Sequence, residues 1–292
     1  MRVLITGGSG FLGSHIADAL SNRGYEVIIL DTCPSPFLRD NQTFVQGSIL
    51  EVDVVDRAIE GCDVVYHMAA ISDIDAACLA PVETIRVNVL GTALLLEASR
   101  NADINRFIYA SSVYVYSDFG SFYRTSKQAS ELLIEDYWER YALPFTILRF
   151  GSLYGPRADD RNGVYRMLKQ ALEKQHIIYP GNGEESREYI HIFDAAESAI
   201  DILDVKFKNE NLNLTGIEKM TSREMLEMIK EMMRDTVKIE FQNNARSAHY
   251  VRTPYNYAPK LGKKLIRDTY VDFGQGLLNC MREIDEARKG ET

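Results

Sequence analysis

Thr6-Gly7-Gly8-Ser9-Gly10-Phe11-Leu12-Gly13 stands between a short apolar run, Val3-Leu4-Ile5, and a stretch of helical period that reaches Asn22. Glycines at a strand-to-helix junction let the backbone come close to a pyrophosphate, and the free amides and dipole of the helix N-terminus favour that anion. Gly7, Gly10 and Gly13 are therefore expected to cradle a dinucleotide. Asp31 follows the second apolar run, about 20 residues beyond the glycines, where an acid accepts hydrogen bonds from a ribose diol and repels a 2′-phosphate. That position favours NAD over NADP.

Working outward, the apolar runs Val27-Ile28-Ile29-Leu30, Val64-Val65-Tyr66, Phe107-Ile108-Tyr109 and Phe145-Thr146-Ile147-Leu148 alternate with helical stretches at Phe11 to Asn22, Pro81 to Arg100 and Phe122 to Tyr141. Near-continuous apolar strands separated by helices imply an α/β protein with a parallel, doubly wound Rossmann sheet. After Leu148 the texture changes, with Gly155-Pro156-Arg157, Pro180-Gly181-Asn182-Gly183 and Arg252-Thr253-Pro254-Tyr255 punctuating shorter elements. The expected organisation is a dinucleotide-binding domain over 1–156, to which 189–216 returns as a helix and a strand, and a smaller α/β substrate domain over 157–292.

The 292 residues are 46% hydrophobic and 26% charged, the balance of a globular protein with a substantial core. A net charge of −9 and no long basic run disfavour nucleic acid or an anionic membrane as partner, so an anionic substrate needs locally placed arginine. The four cysteines have no metal-ligand spacing and suggest reduced thiols in a cytoplasm. With no basic leader before Val3 and no apolar stretch of membrane-spanning length, neither export nor a membrane anchor is expected. His67 and His191 lack companions at metal-ligand spacing and are expected to be structural, with no metal site.

Tyr123 and Lys127 lie four residues apart on the third helical stretch and project from one face. A phenol that acts as a base near neutrality must ionise about 3 pH units below its free value, a change of about 4 kcal/mol. An ammonium about 5 Å away supplies roughly 3 kcal/mol of this at an effective dielectric of 20, before desolvation is subtracted. Ser111-Ser112 ends the fourth apolar run, and carboxyl ends of parallel strands are where ligands bind in this architecture. A dinucleotide cradle and a proton-transfer set on one chain point to hydride chemistry at an alcohol carbon.

Taken together, the chain resembles the extended short-chain dehydrogenases/reductases of the NAD-dependent epimerase/dehydratase family, similar to UDP-glucose 4-epimerases. The resemblance rests on the glycine loop, Asp31, His67-Met68-Ala69-Ala70, Asn88-Val89-Leu90-Gly91-Thr92 and Ala110-Ser111-Ser112. It continues through Tyr123 to Lys127, Leu148-Arg149, Tyr154-Gly155-Pro156-Arg157, Gly181-Asn182-Gly183, Arg187 to His191, and Asp194. It implies Tyr123 as catalytic base, Lys127 on the nicotinamide ribose, and Ser112 on the reacting oxygen. Phe11, Leu12, Ser48, Ile49, Ala69, Ala70 and Asn88 join the glycines and Asp31 along the cofactor, while Ser152 and Arg187 join Ser112 and Tyr123 at the substrate, Arg187 on its diphosphate. The implied partners are a nucleotide-diphosphate sugar and, through helices matching Pro81 to Arg100 and Phe122 to Tyr141, a second copy of the chain. Leu94-Leu95-Leu96 is one apolar stretch offered to that interface.

Three departures narrow this expectation. Only six residues separate Tyr116 from Tyr123, where relatives carry a longer loop that often helps cover the sugar. Val113-Tyr114 replaces the Asp-Glu pair that follows the hydroxyl residue in dehydratases, and loss of water needs an acid and a base beyond Tyr123. Ser152 and Ser48 stand where Asn and Asp are common. The expected activity is 4-epimerisation of a nucleotide-sugar through a transient 4-keto sugar, with a 4-dehydrogenase or ketoreductase as the alternative and a 4,6-dehydratase less favoured. A silent NAD-binding sensor or scaffold would not need the intact Ser112, Tyr123 and Lys127.

Overall fold

The computed structural model describes residues 1–217, 219–242, 249 and 263–290, so the Arg252 to Tyr255 punctuation lies outside the described residues. The first half runs β1 (Arg2–Thr6), α1 (Phe11–Asn22), β2 (Glu26–Asp31), β3 (Gln42–Gln46), α2 (Val52–Ile59), β4 (Val64–His67), α3 (Ile74–Leu79), α4 (Pro81–Ile85), α5 (Gly91–Asn101), β5 (Arg106–Ser112), α6 (Ser121–Tyr141) and β6 (Phe145–Phe150). There follow β7 (Ser152–Tyr154), α7 (Gly163–Lys174), β8 (His176–Pro180), β9 (Ser186–His191), α8 (Ile192–Asp201), β10 (Glu210–Leu214), β11 (Lys219–Thr221), α9 (Ser222–Met232), β12 (Lys238–Gln242), β13 (Lys263–Lys264) and α10 (Phe273–Gly290).

Eight strands make one sheet in the order β3-β2-β1-β4-β5-β6-β10-β13, with every neighbouring pair parallel. Alternate residues of one strand serve opposite layers. Val3 and Ile5 pack with Ile16, Leu20, Ala195 and Ala199, while Leu4 packs on the other face with Val55, Leu95 and Leu96. Because both faces are covered, the strands are apolar throughout rather than alternating. The five apolar runs read from the sequence fall on β1, β2, β4, β5 and β6. Chain order reverses between β1 and β4, which opens a crevice at their carboxyl ends.

A separate core joins Leu168 of α7, Ile177 of β8, Leu226 and Ile229 of α9, and Phe273 and Leu277 of α10. It is bordered by a three-stranded β11-β9-β7 sheet and a β12-β8 pair. β7 leaves the end of β6 within two residues, so this second layer abuts the carboxyl end of the large sheet.

The stretch Pro81 to Arg100 is not one regular α-helix: Arg86–Leu90 forms a π-helical turn between α4 and α5. Its carbonyls and side chains are engaged elsewhere. The Asn88 carbonyl accepts from the hydroxyls of Thr92 at 2.5 Å and Ser130 at 2.9 Å, and such local insertions recur where helices meet functional sites. Leu95 and Leu96 are fully buried in the sheet-facing core. They are therefore removed from the surface that the sequence offered to a second copy.

Candidate active site

Gly7 adopts φ +71°, and a Cβ there would lie 2.5 Å from the Ala69 nitrogen, so only glycine lets β1 turn against the end of β4. A Cβ on Gly13 would strike the Gly7 carbonyl and the Gly8 backbone, which keeps the first turn of α1 against the loop. The cradle is built by backbone and fits a pyrophosphate. Beside it, Asp31 at the end of β2 accepts from the Ser9 amide at 3.0 Å and the Cys33 amide at 3.3 Å. Those bonds hold the carboxylate at the edge of the glycine loop.

The proton-transfer candidates come together beyond β4, at the end of β5. Ser112 ends β5 and its hydroxyl accepts from the Tyr114 amide at 3.3 Å. Tyr123 lies in the first turn of α6, 9% exposed, with its ring edge-on to Tyr114 at 6.1 Å. One turn later Lys127 is 3% exposed; its ammonium donates to the Ala110 carbonyl at 2.7 Å and stands 5.8 Å from the centre of the Tyr123 ring. Burial pushes the Lys127 ammonium down to about 7, against the pull of Glu131 in the other direction. Near neutrality its charge is thus partial, and the electrostatic support for Tyr123 is smaller than the spacing alone suggests. The α6 N-terminus reaches this position through a tight turn at Gly120, φ +99°, where a Cβ would collide with the Tyr114 ring.

One cleft of about 1490 Å³ connects the two parts. Gly7, Gly10, Phe11, Leu12, Gly13, Asp31, Ser48, Ile49, Ala69 and Ala70 line its cofactor end, and Ser112, Tyr123, Lys127, Ser152 and Arg187 line the remainder. A single small-ligand pocket runs to roughly 1,000 Å³, so this space suits a dinucleotide together with a second ligand.

Asn88 is the exception among the expected contacts. It does not line the cleft; its amide donates to the Ile71 carbonyl at 3.0 Å and the Ser126 hydroxyl at 2.9 Å, and its oxygen accepts from the Ile71 amide at 2.8 Å. It braces the loop after β4 against α6 and does not reach toward a ligand. His67 is held between the Thr6 hydroxyl at 2.7 Å and the Thr92 hydroxyl at 2.9 Å, and burial lowers its pKa to about 3. His191 caps α8, and burial lowers its pKa to about 4.

Sequence reasoning passed over two groups. Beneath Lys127 lies a buried chain of Ser111, Glu131, Arg149, Tyr116 and Asn213; its signals were a carboxylate four residues after Lys127 and an arginine within the apolar run of β6. Elsewhere on the wall of the cleft, the Tyr114 hydroxyl stands 2.9 Å from Nδ1 of His249, whose Nε2 is 3.8 Å from an Asp75 oxygen. No local pattern links three residues so distant in the chain.

A doubly wound sheet with a glycine cradle, an acid after β2 and a Ser-Tyr-Lys set in the same cleft defines the class of dinucleotide-dependent enzymes that act at a carbinol carbon. A model of the NAD dependent epimerase/dehydratase family matches residues 3–215, and the chain belongs to that family. Its cofactor is NAD. The chain is 31% identical over 249 residues to a putative UDP-glucose 4-epimerase of Methanocaldococcus jannaschii, covering 78% of this chain and 81% of that protein. It is equally 31% identical over 266 residues to a UDP-N-acetyl-alpha-D-glucosaminuronate decarboxylase of Bacillus cytotoxicus, covering 82% of each. The fold matches that of Thermotoga maritima UDP-glucose 4-epimerase with a TM-score of 0.87 at 23% identity, over 99% of this chain and 100% of that one.

Proposed function

We propose that this enzyme interconverts C4 epimers of a nucleotide-diphosphate sugar through a transient 4-keto sugar, with residues 157–292 forming most of the sugar-nucleotide side. The observation that carries the reading is the placement of Ser112, Tyr123 and Lys127 in the same cleft as the glycine cradle. NAD, when bound, supplies the hydride acceptor and donor. Tyr123 takes the proton of the 4-hydroxyl and later returns it to the oxygen on the other face, Ser112 hydrogen-bonds that oxygen, and Lys127 orients the ribose and favours the phenolate. Arg187, on β9 and lining the same cleft, offers the cation that a diphosphate needs on an acidic protein.

Elimination of water is disfavoured because Val113 and Tyr114 provide no carboxyl acid beside Ser112. A relative of equal identity is named a decarboxylase and not an epimerase, and release of the ketosugar after one hydride step is the alternative outcome here. Substitution of Tyr123 by phenylalanine tests the assignment: C4 interconversion should be lost while NAD and nucleotide affinity persist. Near wild-type turnover by Tyr123→Phe would remove the basis of the reading.

The enzyme acts as a cytoplasmic homodimer in this reading. No described helix is long and apolar enough to cross a membrane. Val82 is 80% exposed on α4, and Leu90, Leu132 of α6 and Trp138 of α6 are also exposed. These residues, and not the buried Leu95 and Leu96, are among the apolar surface available to a second copy. Light scattering at micromolar concentration should give twice the chain mass, and Leu132→Glu should yield monomer.

A further inference from the structure

Arg157 closes the stretch Tyr154-Gly155-Pro156-Arg157 and takes no part in the proton transfer described above. Its backbone is left-handed, φ +65°, a conformation that a non-glycine residue keeps only where its surroundings hold it. Three partners do so. The Arg157 amide donates to the Glu283 carboxylate of α10 at 3.0 and 3.2 Å, Nη2 donates to Asp18 Oδ2 of α1 at 2.7 Å, and the guanidinium carbon lies 4.3 Å from the centre of the Phe37 ring. The preceding carbonyl, that of Pro156, accepts from Nε2 of His15 on α1 at 3.0 Å. The other Asp18 oxygen takes Arg39 Nε at 2.7 Å and Gln42 Nε2 at 3.2 Å.

These contacts join two loops that border the cleft in different places. Phe37 and Arg39 belong to the loop between β2 and β3, which leaves Asp31 through Thr32 and Cys33, all three on the cleft wall. Arg157 belongs to the loop between β7 and α7, whose Asp159, Arg161 and Asn162 line the same cleft. One side chain thus links the loop beside the cofactor acid to a loop supplied by the second unit.

We propose that Arg157 is a positioning residue that couples these two loops, so that NAD seated against Asp31 orders residues 158–162 before the second ligand arrives. The inference rests on the placement of NAD at Asp31 and holds whichever sugar reaction follows. NAD restrains the loop that begins at Thr32, the restraint reaches Arg157 through Phe37 and through Asp18 with Arg39, and Arg157 passes it to the loop it belongs to. A ligand that meets an already ordered loop pays less to bind, and by linkage it tightens NAD to the same degree.

The test is amide hydrogen exchange of the full chain with and without saturating NAD, read by mass spectrometry on peptides covering 32–39 and 158–162. In the wild type NAD should slow exchange at least about fivefold in both peptides. In Arg157→Met the protection of 32–39 should persist while the slowing over 158–162 falls below about twofold, with Phe37→Leu changing in the same direction by less. Arg157→Lys keeps a cation for Asp18 without the planar stack on Phe37 and should give an intermediate value. Asp18 retains Arg39 and Gln42 in every variant, which favours an intact fold. A purely structural loss would speed exchange over 158–162 equally with and without NAD, and that result overturns the inference. So does NAD-dependent slowing over 158–162 that is undiminished in Arg157→Met, as direct contact with the cofactor would give. A wild type in which NAD leaves 32–39 unprotected would remove the placement at Asp31 and the coupling with it.

Discussion

The carboxylate of Glu131 holds the guanidinium of Arg149 through two parallel hydrogen bonds, Nε to Oε1 at 2.9 Å and Nη2 to Oε2 at 2.7 Å, with side chains 3% and 0% exposed. The Ser111 hydroxyl donates to the same carboxylate at 2.6 Å, and Arg149 donates onward to the Tyr116 hydroxyl at 2.5 Å, which donates to Asn213 at 2.9 Å. One buried network thus ties β5, α6, β6 and β10 together directly below Lys127. Removing one partner strands a buried charge. Glu131→Gln should lower unfolding stability by about 3 kcal/mol, and the double change Glu131→Gln with Arg149→Met should recover most of that loss in urea denaturation.

Lys127 makes stability depend on pH in a defined direction. Its folded pKa lies near 7 against an ordinary value of 10.5, so above neutrality the native state sheds a proton that the unfolded chain still holds. The penalty for burying the ammonium is fully present below pH 7 and is relieved as pH rises from about 7 to 10.5. Lys127→Met should therefore gain stability over wild type at pH 6, with a smaller gain at pH 9.5. A gain that grows with pH in paired denaturation curves would contradict the assignment.

Asp31 is held beside the glycine loop by the Ser9 amide, where a 2′-phosphate would meet its charge. Apo-protein should bind NAD more tightly than NADP in calorimetric titration, and Asp31→Ser should narrow the difference by at least about tenfold. Equal affinities in the wild-type protein would contradict the role given to this carboxylate.

The placement of the glycine loop after β1 and of Asp31 at the end of β2 was legible in local spacing, and β1, β2, β4, β5 and β6 were legible because burial on both faces makes a strand apolar throughout. The π-helical turn at Arg86–Leu90 was not legible: helical period persists through it, and what accompanies it, hydroxyls of α5 and α6 donating to the Asn88 carbonyl, comes from tertiary contact. For the same reason Asn88 read as a ligand contact although its side chain is consumed by Ile71 and Ser126. Leu95 and Leu96 could be read toward core or partner until the sheet fixed their face. The desolvation of Lys127 escaped the spacing argument because position 127 does not reveal that Tyr109 and the β5 backbone enclose it.

Ser112 and Tyr123 are expected to contribute unequally. Ser112 supplies a hydrogen bond to the reacting oxygen, whereas Tyr123 carries the proton itself. Ser112→Ala should lower kcat by about 10- to 100-fold with KM little changed, a smaller loss than that of Tyr123→Phe. Steady-state kinetics on the preferred nucleotide-sugar measure the ordering, and a larger loss in Ser112→Ala would reverse the roles.

The most direct measurement incubates the NAD-loaded enzyme with UDP-, GDP- and dTDP-hexoses, identifies the products by NMR, and follows reduced nicotinamide by absorbance in the same samples. The account predicts that at least one nucleotide-sugar reaches a mixture of its two C4 epimers with no net accumulation of NADH and no 6-deoxy product. Stoichiometric NADH with a released ketosugar would contradict the epimerase assignment in favour of a dehydrogenase, and a 4-keto-6-deoxy sugar would contradict the argument built on Val113 and Tyr114.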